Sequence, residues 1–403
     1  MSGTTADPRL ARPRKPPRRR VRLSWSDPVL RSIVWQILII GIVVALLWYL
    51  ISNTNHNLAA RRIATGFGFL YQAASIPIGE SLIPYTPAVD TYGYALLVGI
   101  LNTLKVAVVG VVLATILGTL IGIGRLSRNW LVAKLAAIYV EGLRDIPLLL
   151  QLLFWYALLQ GLPAPRQSLR IGDAVFLSNR GIKLPELIWA PAFTWAAVAL
   201  LIGAVLTYAW SRRARRRQEA TGEQPRVWPV ALALLVVVPV IVWAALGAPF
   251  AWDKPALHGF NFTGGLTVTP EYTALLMGLV IYTAAYIAEI VRAGIQAVPQ
   301  GQWEAAGALG LRHGVILRKI VLPQAMRVMI PPMTSQYLNL TKNSSLAVAI
   351  GYQDIVSIAN TTLNQTGQAI EGIAVIMAVY LTISLSISLF MNWYNARIAL
   401  VER

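Results

Sequence analysis

The sequence predicts an all-α membrane protein that crosses the bilayer about eight times. Three observations carry that reading. The chain of 403 residues is 56% hydrophobic and only 13% charged, whereas soluble domains carry roughly a quarter charged residues. Its mean hydropathy is +0.58. Its apolar residues gather into eight long runs, near 33–51, 94–124, 138–161, 187–210, 228–247, 270–298, 328–350 and 371–394. Each is close to the roughly 20 residues that cross a hydrocarbon core as a helix.

Taken in order, residues 1–32 hold Arg9, Pro16, Pro17, Arg18, Arg19, Arg20 and Arg22 with few large apolar side chains, the composition of a disordered basic tail. The run 33–51 is followed by no small-residue cleavage site and reads as a retained anchor. The stretch 52–93, with Ser75, Pro77, Pro84 and Pro87, predicts an ordered external segment with a short helix near 58–74. The run 94–124 exceeds one bilayer crossing, so a tilt or bend is expected, at Gly110 or Gly118. Two spans, 187–210 and 228–247, follow, separated by the arginine run Arg212–Arg217, and an aromatic, glycine-rich stretch 248–269 leads to the last three spans.

The formal net charge is +18, which raises nucleic acid as a partner. The distribution argues against it. With the N-terminus cytoplasmic, the cytoplasmic segments hold 24 Lys and Arg and the external ones 7, as expected of topology signals that place both termini inside. The run Arg212–Arg217 is accordingly read as an anchor. There is no cysteine, so disulfides and thiolate metal sites are excluded.

Between the sixth and seventh spans the pattern is regular: Glu304-Ala305-Ala306, three residues, Gly310, nine residues, Ile320, one residue, Leu322-Pro323. Glu304 to Leu309 are good helix formers. Gly310 permits a left-handed turn. Residues 314–321 read as a second short helix closed by Pro323. The result is a helix–turn–helix knob small enough to enter a groove on a partner.

At every fixed position this stretch resembles the Glu-Ala-Ala loop of binding-protein-dependent ABC importer permeases. The resemblance implies that Glu304, Ala305, Ala306, Gly310, Leu311, Ile320 and Pro323 couple the chain to an ATP-binding subunit. Asn102-Thr103-Leu104-Lys105, Gly118, Gly122 and Arg125-Leu126-Ser127 resemble the first core helix of polar-amino-acid permeases. Arg144-Asp145-Ile146-Pro147-Leu148-Leu149-Leu150-Gln151 resembles their Arg-Gly-Thr-Pro-Leu-Leu-Val-Gln segment, departing at Asp145 and Ile146. Tyr286 to Arg292 and Lys342-Asn343-Ser344-Ser345-Leu346 are also similar. On this resemblance the chain divides into a tail (1–32), an anchor with its external segment (33–93), a first core part (94–161), an insert with two extra spans (162–269) and a second core part (270–403) containing the coupling loop 299–323. The resemblance implies a type I importer core of five helices plus three extra, and the chain looks most like the Q-type subunit of general L-amino-acid importers.

Polar groups inside a span are costly and mark candidate function. Glu289 and Arg292 share a helix face, as an ion pair or as part of a gate. The seventh span carries Gln336, Asn339, Thr341, Lys342, Asn343, Ser344 and Ser345, so one face must meet protein or water. A zwitterionic amino acid needs a cation and acceptors. Lys342, Asn343 and Ser344 can serve its carboxylate, and Glu289, Tyr282 and Tyr286 its ammonium. Helix packing is the competing role for each, and structure is the favoured role for Arg144 and Asp145.

No lysine follows a glycine, so the phosphate-binding loop of ATPases cannot occur. The three histidines, His56, His258 and His313, have no ligand spacing. The chain is therefore expected to be no enzyme and to hold no cofactor or metal, with ATP bound by a partner. The resemblance implies two ATP-binding subunits, a second homologous permease in a heterodimer, and a periplasmic amino-acid-binding protein, in a bacterial inner membrane. An ion-gradient-driven transporter and a non-transporting scaffold are the rival readings.

Overall fold

The computed structural model describes residues 28–60, 65–172, 174–223 and 225–398. Residues 1–27 of the predicted basic tail lie outside them. The chain divides into two compact units, Met1–Thr65 and Gly66–Arg403. The first contains helix α1 (Pro28–Ala60). Trp35, Ile39, Val44, Trp48 and Ile51 all stand exposed around it. A helix that is apolar all round has no aqueous face and suits a membrane span.

The second unit opens with an ordered segment; of the helix predicted near 58–74, residues 58–60 belong to α1, residues 61–64 lie outside the described residues, and the rest holds a 3₁₀ turn, Phe67–Tyr71. Phe69, Ala74 and Ile76 pack into a core with Tyr92, Ala95 and Ile355, which orders the segment without helix. Thr91 caps helix α2 (Tyr92–Arg125) by accepting from the Tyr94 amide. Gly110 and Gly118 do not interrupt this helix. They permit close packing instead. A β-carbon on Gly118 would lie 2.7 Å from Ile287 Cβ, and one on Gly122 would lie 2.7 Å from the Ala288 carbonyl oxygen. These pairings fix α2 parallel to helix α8 (Pro270–Gln296). Gly118→Val should therefore cost about 1–3 kcal/mol through overpacking, read as a lower melting temperature of the detergent-solubilised protein.

Asn129 caps helix α3 (Trp130–Asp145). The single span predicted over 138–161 is instead two helices. Helix α4 (Leu148–Gln160) turns 104° from α3 at Ile146–Pro147, because Pro147 lacks a donor and its neighbour avoids the α region. The Gln151 side chain seals the break by donating to the Leu143 and Ile146 carbonyls.

The insert holds short strands in addition to its two predicted spans: β1 (Leu169–Ile171), β2 (Val175–Ser178), β3 (Gly181–Leu184) and β4 (Glu186–Leu187). Helix α5 (Pro191–Thr221) runs unbroken through Arg212–Arg217. Helices α6 (Trp228–Leu232) and α7 (Val238–Ala245) are joined by a π turn. Then come β5 (Trp252–Asp253), β6 (Ala256–His258), β7 (Asn261–Thr263) and β8 (Leu266–Val268). Strands β1, β2, β3 and β8 form one antiparallel sheet in that order, so both ends of the insert meet beside the start of α8.

Helix α8 (Pro270–Gln296), capped by Thr269, is the centre of the core. Helices α9 (Gln300–Ala308) and α10 (His313–Ile316) follow. Helix α11 (Leu322–Asn343) then returns antiparallel to α8, and Gly294 accordingly meets Met329. A 3₁₀ stretch, Ser344–Ile350, leads to helices α12 (Ile355–Thr366) and α13 (Ala369–Ile398). Buried Asp354 caps α12 through the Ser357 amide. Burial pushes its carboxyl up to about 7. The folded state therefore holds this proton more tightly than the unfolded chain does. Its contribution to stability is complete below the ordinary carboxylate range and is lost as pH rises from there through about 7.

Among the described residues six helices are long and apolar enough to cross a membrane, and the bent pair α3–α4 makes a seventh. The seventh predicted span, α11, falls short because of its polar load and its internal Pro331 and Pro332.

Candidate functional site

Two arrangements collect the residues singled out by sequence. The first is the turn after α8. Pro299 ends that helix and Glu304, Ala305 and Ala306 lie on α9. At the end of α9 the Gly310 amide donates to the Gly307 carbonyl and the Leu311 amide to the Ala306 carbonyl. This two-bond cap requires a left-handed residue, and Gly310 has φ +71°. The Trp303 ring stacks on His313 with centroids 5.4 Å apart, tying α9 to α10. Ala306 and Ile316 are buried beneath the turn. Glu304, Ala305, Gly310 and Leu311 are exposed, and Leu309 is 79% exposed at the tip. An apolar tip on a rigid turn suits a groove on another protein.

Pro323 does not close the second helix as predicted. A π turn, Leu317–Val321, carries α10 directly into α11, and such a widened turn accommodates a backbone whose next donor is missing. Ile320 and Pro323 are half-buried in this continuous rod.

The second arrangement is a polar cavity of about 320 Å³ between α8 and α11, lined by Tyr282, Thr283, Tyr286, Gln336, Asn339 and Asn343. Its α8 residues sit mid-way along that helix. The two tyrosine hydroxyls are 3.1 Å apart. The structure thus brings together three of the predicted pathway residues, Tyr282, Tyr286 and Asn343. It separates the other three from the cavity wall. Ser344 is buried and donates to the Thr341 carbonyl. Lys342 is exposed next to the cavity residue Asn343 without lining it. Glu289 accepts from Arg292 at 2.5 Å and pairs with Arg125 of α2. Arg125 also lies 3.6 Å from Glu141 of α3. Glu289 is therefore a tie between helices.

Thr283, Gln336 and Asn339 join the wall although sequence reasoning did not single them out as pathway residues. A signal for two of them existed: Gln336, Asn339 and Asn343 follow i, i+3, i+7 spacing, which places them on one face. Arg144 is a further residue whose place is visible only in three dimensions. With α3 packed on α8 through the Tyr139 hydroxyl and the Ile281 carbonyl, its guanidinium carbon lies 5.0 Å from the centre of the Tyr286 ring.

A family model described as "Binding-protein-dependent transport system inner membrane component" matches residues 227–400. The chain is 51% identical over 383 residues to the general L-amino acid transport system permease protein AapQ of Rhizobium johnstonii, covering 95% of this chain and 96% of that protein. It belongs to the binding-protein-dependent transport permeases. This permease is also 51% identical to the putative amino-acid ABC transporter permease protein YhdX of Escherichia coli, covering 94% of this chain and 97% of that one. Identity is 43% to the glutamate/glutamine/aspartate/asparagine transport system permease protein BztB of Rhodobacter capsulatus, over 96% and 99% of the two lengths. The match over nearly all of each chain means that the permease shares its insert with these relatives.

Proposed function

We propose that this permease imports polar L-amino acids, with ATP hydrolysed by separate subunits docked on α9 and α10. The observation that carries the reading is the polar cavity between α8 and α11. Hydroxyls and side-chain amides at mid-span are expensive unless they meet protein, water or a polar solute, and both donors and acceptors for a zwitterion are present. The names of the relatives support amino acids as cargo. The exposed, glycine-capped turn supports docking, and the lack of a phosphate-binding loop in the sequence leaves ATP to the partner. No cofactor is assigned to this chain.

One docking turn per chain calls for two permeases over two ATP-binding subunits. The second is proposed to be a homologous chain, with a periplasmic amino-acid-binding protein delivering cargo. The distribution of Lys and Arg supports a bacterial inner membrane placement with both termini and α9–α10 cytoplasmic. ATP-driven approach of the two turns would then open the cavity outward and product release would reset it.

Asn343→Ala and Tyr286→Ala each remove a lining group while leaving the docking turn untouched. Each is expected to lower uptake of radiolabelled amino acid into proteoliposomes by about tenfold or more, the scale of one hydrogen bond removed from a water-poor site. Normal transport by both variants would move the pathway elsewhere.

A further inference from the structure

The cavity is polar but carries no charge of its own. Its wall consists of two tyrosines, a threonine, a glutamine and two asparagines. The nearest candidate anion, Glu289, is engaged by Arg125 and Arg292. Arg144 differs from these paired groups. It sits in the last turn of α3, at the break before Pro147, and stacks over Tyr286, one of the wall residues. Among the described residues no carboxylate lies within 4.0 Å of it, its own neighbour Asp145 included. Its side chain is exposed. A ring against one face of a guanidinium holds the group in place and leaves its N–H edge free.

An arginine held by its face and unpaired at its edge is suited to a planar anion. Guanidinium and carboxylate match in a two-bond geometry that lysine and neutral donors cannot reproduce. Every amino acid presents one such group whatever its side chain. We propose that Arg144 binds the α-carboxylate of the transported amino acid at the rim of the cavity, so that this chain reads the carboxylate end of its cargo. The amide oxygens and hydroxyls of the wall then accept from the ammonium. The inference rests on the reading of the cavity as the transport site.

The test is direct binding to the purified permease complex without the binding protein, which would otherwise impose its own selection. The probes are L-glutamine and L-glutaminamide, whose α-carboxylate is replaced by a neutral amide. The wild-type complex should prefer glutamine by at least about tenfold, the scale of one charge-assisted hydrogen bond. Arg144→Gln should weaken glutamine by a similar factor and leave glutaminamide unchanged, so the preference collapses toward one. Arg144→Lys should keep part of it. Equal weakening of both probes in Arg144→Gln would show that Arg144 only packs the helix break, and would overturn the proposal. An undiminished preference for glutamine in that variant would also overturn it. Absence of binding to the wild-type complex would remove the cavity reading itself, and this inference with it.

Discussion

Gly310→Val is expected to abolish uptake while the protein still inserts and folds in the membrane. Gly310 has φ +71°, and its amide and that of Leu311 close the end of α9. A β-branched residue held at positive φ costs about 1–3 kcal/mol. An added β-carbon at Gly310 would meet nothing within 4 Å, so the cost is in the backbone and not in a clash. A nine-residue helix has little reserve to absorb it. The turn should refold, Leu309 should leave the tip, and the ATP-binding subunits should lose their seat. Gly310→Asn, which tolerates the left-handed region, should retain most activity. Uptake into proteoliposomes and co-purification of the ATP-binding subunits read both effects. Wild-type uptake by Gly310→Val would mean that α9–α10 does not transmit ATP energy.

The second large effect is expected at Glu289. Its carboxylate joins Arg292 of its own helix and Arg125 of α2, and the three side chains are 28%, 30% and 15% exposed. Glu289→Ala leaves Arg292 without its anion and Arg125 with only the more distant Glu141, 3.6 Å away. Breaking a buried pair costs roughly 3–5 kcal/mol, and the residual exposure brings the expected loss to about 2–4 kcal/mol. A fall in melting temperature should report it, and Glu289→Ala with Arg125→Ala should recover part of the loss, because one orphaned cation is gone. A stable Glu289→Ala protein that no longer transports would return Glu289 to the pathway, the role its position in a span first suggested.

The helices are legible in the sequence because membrane spans leave long apolar runs, and the glycine-capped turn after α9 because its glycine, alanines and prolines stand at fixed spacing. The departures have physical causes. Apolar content measures burial in lipid and is blind to direction, so the bend at Pro147 leaves the run 138–161 looking like one straight span. Pro323 reads as a stop, yet the π turn Leu317–Val321 absorbs the missing donor and the helix continues. Strands β1, β2, β3 and β8 are three or four residues each, too short for alternation to register, and β8 pairs with β3 across the whole of α5, α6 and α7.

At the cavity, three of the six residues proposed from the sequence come together and three do not. Tyr282, Tyr286 and Asn343 meet, while Glu289 turns to Arg125, a partner on another helix that sequence spacing cannot reveal. Arg144 reaches Tyr286 because α3 packs against α8, where Tyr139 donates to the Ile281 carbonyl. The tertiary partners of intramembrane charges thus decide which residues tie helices together and which are left unpaired.

The most direct test of the central claim is amino-acid uptake into proteoliposomes holding this permease with its candidate partner permease, ATP-binding subunits and binding protein. Uptake should require ATP on the side of the ATP-binding subunits, stop when ATP is withheld, and remain unaffected when proton and sodium gradients are collapsed. Uptake that persists without ATP on an ion gradient alone would contradict the account.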